Sequence, residues 1–180
     1  MTGPEQIAVL RSMTIIHDTR EQNTERARKR YASFGVPTER GVLDYGDYTW
    51  NAVLPDGSSV YDISERIFPR VAVERKMNLD ELAGCFTHDR KRFEAEMLRA
   101  QEHGCRVFLL CENSNMENLF NGKYRSRLNP KAFVASVFAW MVRYDLEVIF
   151  CKEETSGKVI KEILYRDLKE RLQNGEFDET

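Results

Sequence analysis

Residues 71–80 read VAVERKMNLD, and this stretch carries the strongest sequence signal for the fold. Its first residues are small or β-branched and favour a buried strand, while Asn78 is a good N-cap for a following helix. Because side chains alternate between the two faces of a strand, Glu74 and Lys76 are expected on one face and Arg75 on the other. The stretch therefore predicts a strand that ends in a paired carboxylate and amine and leads directly into a helix.

Short apolar runs alternate with helical patterns on both sides of this stretch. The predicted strands lie near residues 13–17, 42–54, 59–63, 71–75, 105–111 and 146–151, and the predicted helices near 23–34, 79–84, 88–103 and 130–144. The turn sequence PDGS at residues 55–58 indicates that the second and third strands form an antiparallel hairpin. Because strands alternate with helices late in the chain, we expect an α/β fold with a mixed central sheet flanked by helices.

Length and composition indicate a folded chain without strong overall charge. The 180 residues weigh 21.0 kDa and are 42% hydrophobic, which is enough to bury a core and excludes a disordered chain. The net charge of −2 excludes a uniformly basic nucleic-acid coat but not a local basic face. We expect residues 1–155 to form one domain and residues 156–180 to form a C-terminal amphipathic helix and tail, packed on that domain or extending from it.

The sequence shows no targeting signal and no metal-ligand cluster of cysteine or histidine. No apolar run is long enough to cross a membrane, and no secretory signal is visible at the N-terminus. The four cysteines lack Cys-x-x-Cys spacing and the three histidines are scattered, so a structural zinc site is not expected. These features favour a cytoplasmic protein with reduced thiols.

Glu74 and Lys76 have the spacing that metal-assisted phosphodiester hydrolysis requires. A carboxylate can hold Mg²⁺, which prefers oxygen ligands, and a lysine can orient the attacking water or neutralise charge on the phosphate. Asp47 is the obvious second carboxylate, and Asp18 and Glu21 follow the first predicted strand and can complete an acidic cluster. Because Glu-x-Lys on a strand is usually an ordinary solvated face, the prediction depends on the combination of these acids.

Three blocks of the sequence resemble, in order, the nuclease signature of the XPF-type structure-specific endonucleases. They are Asp18-Thr19-Arg20-Glu21, Gly46-Asp47-Tyr48 and Val73-Glu74-Arg75-Lys76, the last followed by Asp80. A fourth block, RFEAE at residues 92–96, is similar to a family motif that usually has Gln where this chain has Glu96. The resemblance implies a restriction-endonuclease-like core of the PD-(D/E)XK type that cuts DNA with Mg²⁺ or Mn²⁺.

The resemblance also implies a role for each matching residue. Asp47 and Glu74 would be metal ligands together with the carbonyl of Arg75, and Lys76 would be the catalytic lysine. The implied catalytic and supporting set is Asp18, Arg20, Glu21, Asp47, Glu74, Arg75, Lys76 and Asp80. The chain departs from the family in its long spacer before Glu74 and in having no recognisable helix-hairpin-helix pair after Cys151. We therefore expect a solo nuclease domain from a bacterium or a phage.

Several basic clusters flank the predicted site and are expected to contact DNA. They are Arg26, Arg28, Lys29 and Arg30 in the first predicted helix, Arg90, Lys91 and Arg92 at the start of a later helix, and Lys123, Tyr124, Arg125 and Arg127 further along the chain. Cations bind phosphates without reading sequence, and Tyr124 can stack on an unpaired base. Each cluster taken alone is more often a solvated surface. Because no base-reading residues are visible, we expect a preference for DNA shape or junctions.

The helix predicted over residues 130–144 is apolar around much of its circumference. It is either a core helix or a face for a homodimer or heterodimer, since nuclease domains of the family commonly pair through this region.

Three functions are compatible with these observations. The leading hypothesis is a metal-dependent endonuclease that cuts branched or structured DNA in repair or recombination, in the cytoplasm of a bacterial or phage-infected cell and associated with the nucleoid. The alternatives are a catalytically silent DNA-binding scaffold and a phage junction resolvase on the same fold. Asp47, Glu74 and Lys76 are all present, which favours an active enzyme.

Overall fold

The computed structural model of the protein is a seven-stranded mixed β-sheet with helices on both faces, and it describes residues 1–178. In chain order the elements are α1 (Gly3–Arg11), β1 (Thr14–Asp18), α2 (Glu25–Ser33), β2 (Thr38–Leu43), β3 (Tyr48–Asn51), β4 (Arg66–Ile67), β5 (Val71–Lys76), α3 (Leu79–Gly84), α4 (Arg90–Glu102), β6 (Arg106–Glu112), α5 (Met116–Phe120), α6 (Pro130–Tyr144), β7 (Glu147–Cys151) and α7 (Glu153–Gln173). This architecture confirms the predicted α/β class. The last two residues of the predicted segment 156–180 lie outside the described residues.

The strand order brings three strand ends together at one edge of the sheet. The order is β4-β2-β1-β3-β5-β6-β7. β3 runs antiparallel to both of its neighbours, whereas all other pairs are parallel. Tyr48, the first residue of β3, pairs with His17 of β1 and with Val73 of β5. The start of β3 therefore lies between the carboxyl ends of β1 and β5.

Side-chain caps begin two of the helices that cover the sheet, α3 and α6. Asn78 accepts the backbone N–H of Glu81 at 2.9 Å and starts α3 two residues after β5. Asn129 accepts the backbone N–H of Ala132 and starts α6, with Pro130 in the first turn where its missing N–H costs nothing. Both caps agree with the sequence prediction.

The two faces of the sheet bury separate apolar clusters. α3, α4 and α6 cover one face, where Phe93, Met97 and Trp140 are buried. α7 covers the other face, and Trp50 of β3 donates a 2.8 Å hydrogen bond from its indole N–H to Asp167. The C-terminal helix thus packs on the sheet, while the domain boundary at residue 155 stays a prediction.

The predicted second hairpin strand near residues 59–63 is wrong. The turn at residues 55–58 does close, with Leu54 N–H donating to the Ser58 carbonyl at 2.8 Å, but only Val53 and Ser59 pair beyond it. The Asn51 side chain accepts the backbone N–H of Tyr61 at 3.0 Å and donates to its carbonyl, so a side chain takes the place of the backbone ladder. Within residues 1–178 no helix combines the length and apolarity needed to cross a lipid bilayer.

Candidate active site

Gly46 and Asp47 enter the site through a tight turn that precedes β3. Gly46 has a φ of +74°, and a Cβ there would lie 2.7 Å from the Cβ of Ala72, so only glycine allows this close approach. The Asp47 backbone N–H donates to the Val73 carbonyl, and its carbonyl accepts the Asp18 N–H, both at 2.9 Å. The main chain of Asp47 is therefore fixed between β1 and β5.

Two carboxylates meet where this turn crosses β5. Asp47 Oδ2 accepts the backbone N–H of Arg75 at 2.7 Å. Burial and the neighbouring Glu74 carboxylate raise the pKa of Asp47 well above its ordinary value. Glu74 is itself buried. The site thus concentrates negative charge in a region with little water to screen it.

Lys76 lies on the same face of β5 as Glu74, as strand alternation predicts. Its ammonium donates to Glu74 Oε1 at 2.5 Å and lies 5.2 Å from the centre of the Phe93 ring. Burial alone would lower the pKa of Lys76, but the Glu74 carboxylate outweighs it and raises that pKa. The lysine is therefore a buried cation paired with one of the two carboxylates.

The acids at and just after the end of β1 accept hydrogen bonds from the neighbouring strands β2 and β3. Asp18 Oδ1 accepts the N–H and the Nε of Arg20, and Oδ2 accepts the backbone N–H of Leu43 at 2.8 Å. Glu21 accepts the hydroxyl of Tyr48 at 2.8 Å. The structure thus places Asp18, Arg20 and Glu21 at the same sheet edge as Asp47, with Asp18 joining β1 to β2.

A buried charge network on the opposite face of the sheet was not predicted from the sequence. The Arg75 side chain donates to Glu112 Oε2 at 3.0 Å, and Arg30 of α2 lies 3.8 Å from Glu112 Oε1 and donates to the Tyr48 hydroxyl at 3.2 Å. Glu112 is only 1% exposed. The network fixes the Arg75 side chain on the face of β5 opposite Glu74. The sequence signal for it is Glu112, a charged residue directly after the apolar run 107–111.

Glu96 of α4 is a further buried acid beside the site. Its Oε1 accepts the backbone N–H of Gly46 at 3.0 Å, which ties α4 to the turn before Asp47. Burial and the nearby Glu74 carboxylate raise the pKa of Glu96. The departure from the family motif at this position was the signal for it, although no role follows from the sequence alone.

Asp80 lies in the first turn of α3, and its carboxylate accepts the backbone N–H groups of Arg125 and Ser126. Among the described residues, no hydrogen bond or ion pair joins Asp80 to the group of Asp47, Glu74 and Lys76. The Tyr124 ring packs edge-on against Phe133, and its hydroxyl donates to the Leu128 carbonyl at 2.9 Å. This packing gives Tyr124 a structural role in its loop, and stacking on a base stays a prediction.

The predicted DNA-binding cations of the two later clusters are exposed at the edge where β5 and β6 end. Arg90, Lys91 and Arg92 begin α4, and Arg92 lies 3.5 Å from Asp89. Lys123 and Arg125 are exposed on the segment between α5 and α6. Since α4 follows β5 through the short helix α3, and α5 follows β6, both clusters begin from the edge that carries Glu74.

The donor set of the site suits one hard cation. Among the described residues, no group of three or more His, Cys, Asp and Glu side chains forms a ready-made metal site. Asp47 and Glu74 supply two carboxylates, and their mutual repulsion is the condition that a divalent cation relieves. Mg²⁺ and Mn²⁺ accept carboxylates, backbone carbonyls and water, so a shell of two carboxylates, one carbonyl and waters fits them.

Comparison with known proteins gives one family match and two similar solved structures. The family model described as "ERCC4 domain" matches residues 17–163. A solved structure of XPF from Aeropyrum pernix superposes with a TM-score of 0.58 at 21% identity, covering 88% of this chain and 69% of that chain. A structure of XPF from Aeropyrum pernix in complex with DNA gives the same TM-score at 22% identity and covers 88% and 66%. No curated protein sequence matches significantly. The structural likeness confirms the predicted restriction-endonuclease-like fold.

Proposed function

This chain belongs to the ERCC4 domain family, and on that premise we propose that it is a metal-dependent DNA endonuclease that hydrolyses phosphodiester bonds in branched or structured DNA. The observation that supports this most directly is the convergence of Asp47, Glu74 and Lys76 at one edge of the sheet. A protein of the same fold has been solved with DNA, which agrees with DNA as the substrate.

Asp47, Glu74 and the carbonyl of Arg75 would hold the Mg²⁺ or Mn²⁺ ion. All three are hard oxygen donors of the kind that Mg²⁺ and Mn²⁺ bind. A divalent cation between Asp47 and Glu74 would offset the repulsion that raises the pKa of Asp47. When bound, the ion supplies Lewis-acid polarisation of the phosphate and a more acidic water.

The chain's own residues hold the remainder of the reaction centre in place. The Asp47 carboxylate accepts the Arg75 N–H and thereby fixes the backbone of Arg75. Lys76 presents its ammonium beside Glu74, where it can neutralise charge that develops on the phosphate during hydrolysis. The Phe93 ring covers that ammonium and restricts its position. These contacts prepare the site before substrate arrives.

The DNA backbone would lie across the exposed cations at this edge, chiefly Arg90, Lys91 and Lys123. Phosphate contacts of this kind give affinity without sequence preference, so shape or branching would select the substrate. We place this activity in the cytoplasm of a bacterial or phage-infected cell, close to the nucleoid.

We also propose that the chain pairs through the outer face of α6, as a homodimer or with a related nuclease domain. The inner face of α6 buries Phe133 and Trp140, which makes that half a core helix. On the outer face, Val142 is 87% exposed, and Phe138 contacts the exposed Phe120 at 6.1 Å between ring centres. A dimer mass by light scattering at micromolar concentration, reverting to a monomer in Val142→Asp, is expected; a monomer of wild type contradicts the pairing.

A cleavage assay tests the proposed activity. End-labelled duplex, flap, fork, four-way-junction and single-stranded DNA are incubated with Mg²⁺, Mn²⁺ or EDTA. Wild type is compared with Glu74→Gln and with the control Glu102→Gln, which changes an exposed glutamate of α4. We expect metal-dependent cutting of branched DNA that falls at least about 10²-fold in Glu74→Gln and is unchanged in the control.

The other outcomes separate the alternatives. Binding without cutting under every condition would support the silent scaffold, and cutting restricted to the four-way junction would support the resolvase. Neither binding nor cutting of any DNA would contradict the proposed function.

A further inference from the structure

We propose that Asp80 anchors residues 121–129, here called the basic loop, as a preformed arm that binds DNA phosphates beside the active site. The proposal rests on the proposed function, because the phosphates are those of its DNA substrate. It gives Asp80 a positioning role that is separate from metal binding.

The Asp80 carboxylate holds the middle of the basic loop. Oδ1 accepts the backbone N–H groups of Arg125 and Ser126, both at 2.7 Å, and Oδ2 accepts Nε of Arg125 at 3.2 Å. Although burial acts in the other direction, the hydrogen bonds from Ser126 and Arg125 lower the pKa of Asp80. Both oxygens are thus engaged by the loop, which leaves the metal-binding role to Asp47 and Glu74.

Further contacts fix the loop at both ends. The Lys123 N–H donates to the Asn118 carbonyl at 2.8 Å, and the Tyr124 hydroxyl donates to the Leu128 carbonyl at 2.9 Å. Gly122 has a φ of +64°, and a Cβ there would lie 2.7 Å from the ring of Pro130. These contacts hold the main chain of the basic loop, and among the described hydrogen bonds Asp80 provides its only link to α3.

Three of the side chains that the loop presents to solvent are cations, and the other exposed ones are Asn121 and Asn129. Lys123, Arg125 and Arg127 are all exposed, and the Arg125 side chain is 90% exposed although its Nε contacts Asp80. Among the described residues, neither Lys123 nor Arg127 has an ion-pair partner. Three cations on a held backbone suit the repeated phosphates of DNA, and prior ordering lowers the entropy lost on binding.

Asp80 also connects the arm to the strand that carries Glu74 and Lys76. It lies four residues after Lys76, in the helix that continues from β5. Phosphates that bind the arm are thereby placed in a fixed relation to the strand that carries Glu74. This predicts that loss of Asp80 weakens substrate binding, whereas loss of a metal ligand abolishes turnover.

The first arm of the test needs no DNA. Trypsin cleaves after lysine and arginine, so cutting within the basic loop reports how firmly it is held. Asp80→Ala is compared with Asp80→Asn, which keeps an oxygen acceptor, and with Asp62→Ala. Asp62 is a matched control because it also accepts a backbone N–H, that of Ser64, in a loop near the far end of β3. We expect loop cleavage at least about tenfold faster in Asp80→Ala only.

The second arm measures steady-state cleavage of the preferred DNA. We expect Asp80→Ala to raise KM about tenfold with kcat changed less than about threefold, and Asp80→Asn to stay close to wild type. Adding Lys123→Ala and Arg127→Ala should then cost less in the Asp80→Ala background than in wild type, because the arm is already displaced.

Three results would overturn the proposal. A large fall in kcat at unchanged KM in both Asp80 variants would make Asp80 part of the chemistry. Unchanged trypsin cleavage together with unchanged KM in Asp80→Ala would remove the anchoring role. Wild type that binds no DNA would overturn the proposed function and the arm together, whereas either of the first two results, with wild-type cleavage intact, would overturn the arm alone.

Discussion

Substitution of Glu96 tests how strongly the conformation of the turn before Asp47 depends on its contact with α4. Its Oε1 accepts the Gly46 N–H at 3.0 Å, and both residues are buried. Glu96→Leu removes the acceptor and leaves a buried N–H without a partner, which costs about 1–3 kcal/mol. We expect the free energy of unfolding to fall by that amount. Gly46 directly precedes Asp47, so the same energy of about 1–3 kcal/mol would be needed to restore the catalytic position of Asp47. If that energy adds to the activation barrier, cleavage slows roughly 5- to 150-fold.

Glu96→Gln is the matched variant, because an amide oxygen still accepts the Gly46 N–H while the charge is removed. Burial and the Glu74 carboxylate raise the pKa of Glu96 above 4.5. An acid with a raised pKa in the folded state destabilises the fold when it ionises, and this penalty vanishes as the pH falls below the ordinary pKa. Glu96→Gln should therefore be more stable than wild type at neutral pH, with the difference shrinking toward acid pH.

Urea unfolding in EDTA at neutral and acidic pH and single-turnover cleavage with Mg²⁺ measure these effects. Glu102→Leu and Glu102→Gln, at an exposed position of the same helix, control for changes in helix propensity. The reasoning is refuted if Glu96→Leu cuts DNA at the wild-type rate with unchanged stability. It is also refuted if Glu96→Gln loses as much activity as Glu96→Leu, since the charge would then be required.

Three further perturbations address the rest of the site. Lys76→Ala is expected to lower single-turnover cleavage about 10²–10⁴-fold at saturating metal, because the cation beside Glu74 is lost; an unchanged rate would exclude a catalytic role. Glu112→Leu removes the buried partner of Arg75 and Arg30, so urea titration should show about 3–5 kcal/mol less stability, and a change under about 1 kcal/mol would show that the network is not a stabilising pair. Mg²⁺ or Mn²⁺ at about 100 times its Kd should stabilise wild type by about 2.7 kcal/mol, seen by calorimetry as a higher Tm that EDTA reverses. Asp47→Asn should lose most of that shift, and an equal shift in this variant would place the metal elsewhere.

The parts of the site that depend on local pattern could be predicted from the sequence. Strand alternation alone places Glu74 and Lys76 on one face, and the Asn78 cap places α3 directly after β5. The position of Asp47 needed more than a local pattern, because it depends on β3 running antiparallel between β1 and β5. The resemblance to a known signature predicts that Asp47 acts together with Glu74, but it does not give the strand pairing that brings them together.

The parts that depend on distant contacts could not be predicted. Arg30 occurs in a helix that reads as a charged surface, yet it is buried because Glu112 approaches it from β6. Likewise, Asp80 reads as a first-turn helix acid, and only the path of a segment more than forty residues away shows that it binds Arg125. Glu112 and Arg125 both lie too far along the chain for a local sequence pattern to predict these contacts.

Backbone competition explains the missing strand. The sequence near residues 59–63 favours an extended conformation, but the Asn51 side chain occupies the N–H and the carbonyl of Tyr61. In Thr38–Leu43 the structure forms a strand where the sequence gives little sign of one. Glycine and charged residues obscure the strand pattern there, and parallel pairing with β1 stabilises the strand. Helices α1 and α5 are short and carry too few periodic apolar residues to be predicted.

The turn at residues 55–58 is a suitable site for inserting a label into the protein. It closes on itself through the Leu54–Ser58 hydrogen bond, its residues are exposed, and it lies beyond the end of β3 that points away from Asp47. Self-contained exposed turns tolerate insertions well. A peptide inserted there could carry a fluorophore or attach the protein to a surface for single-molecule measurements. The sheet edge with Asp47 and Glu74 would then remain accessible to DNA in solution. The spacer between Asp47 and Glu74 thus contains an attachment point for such a label.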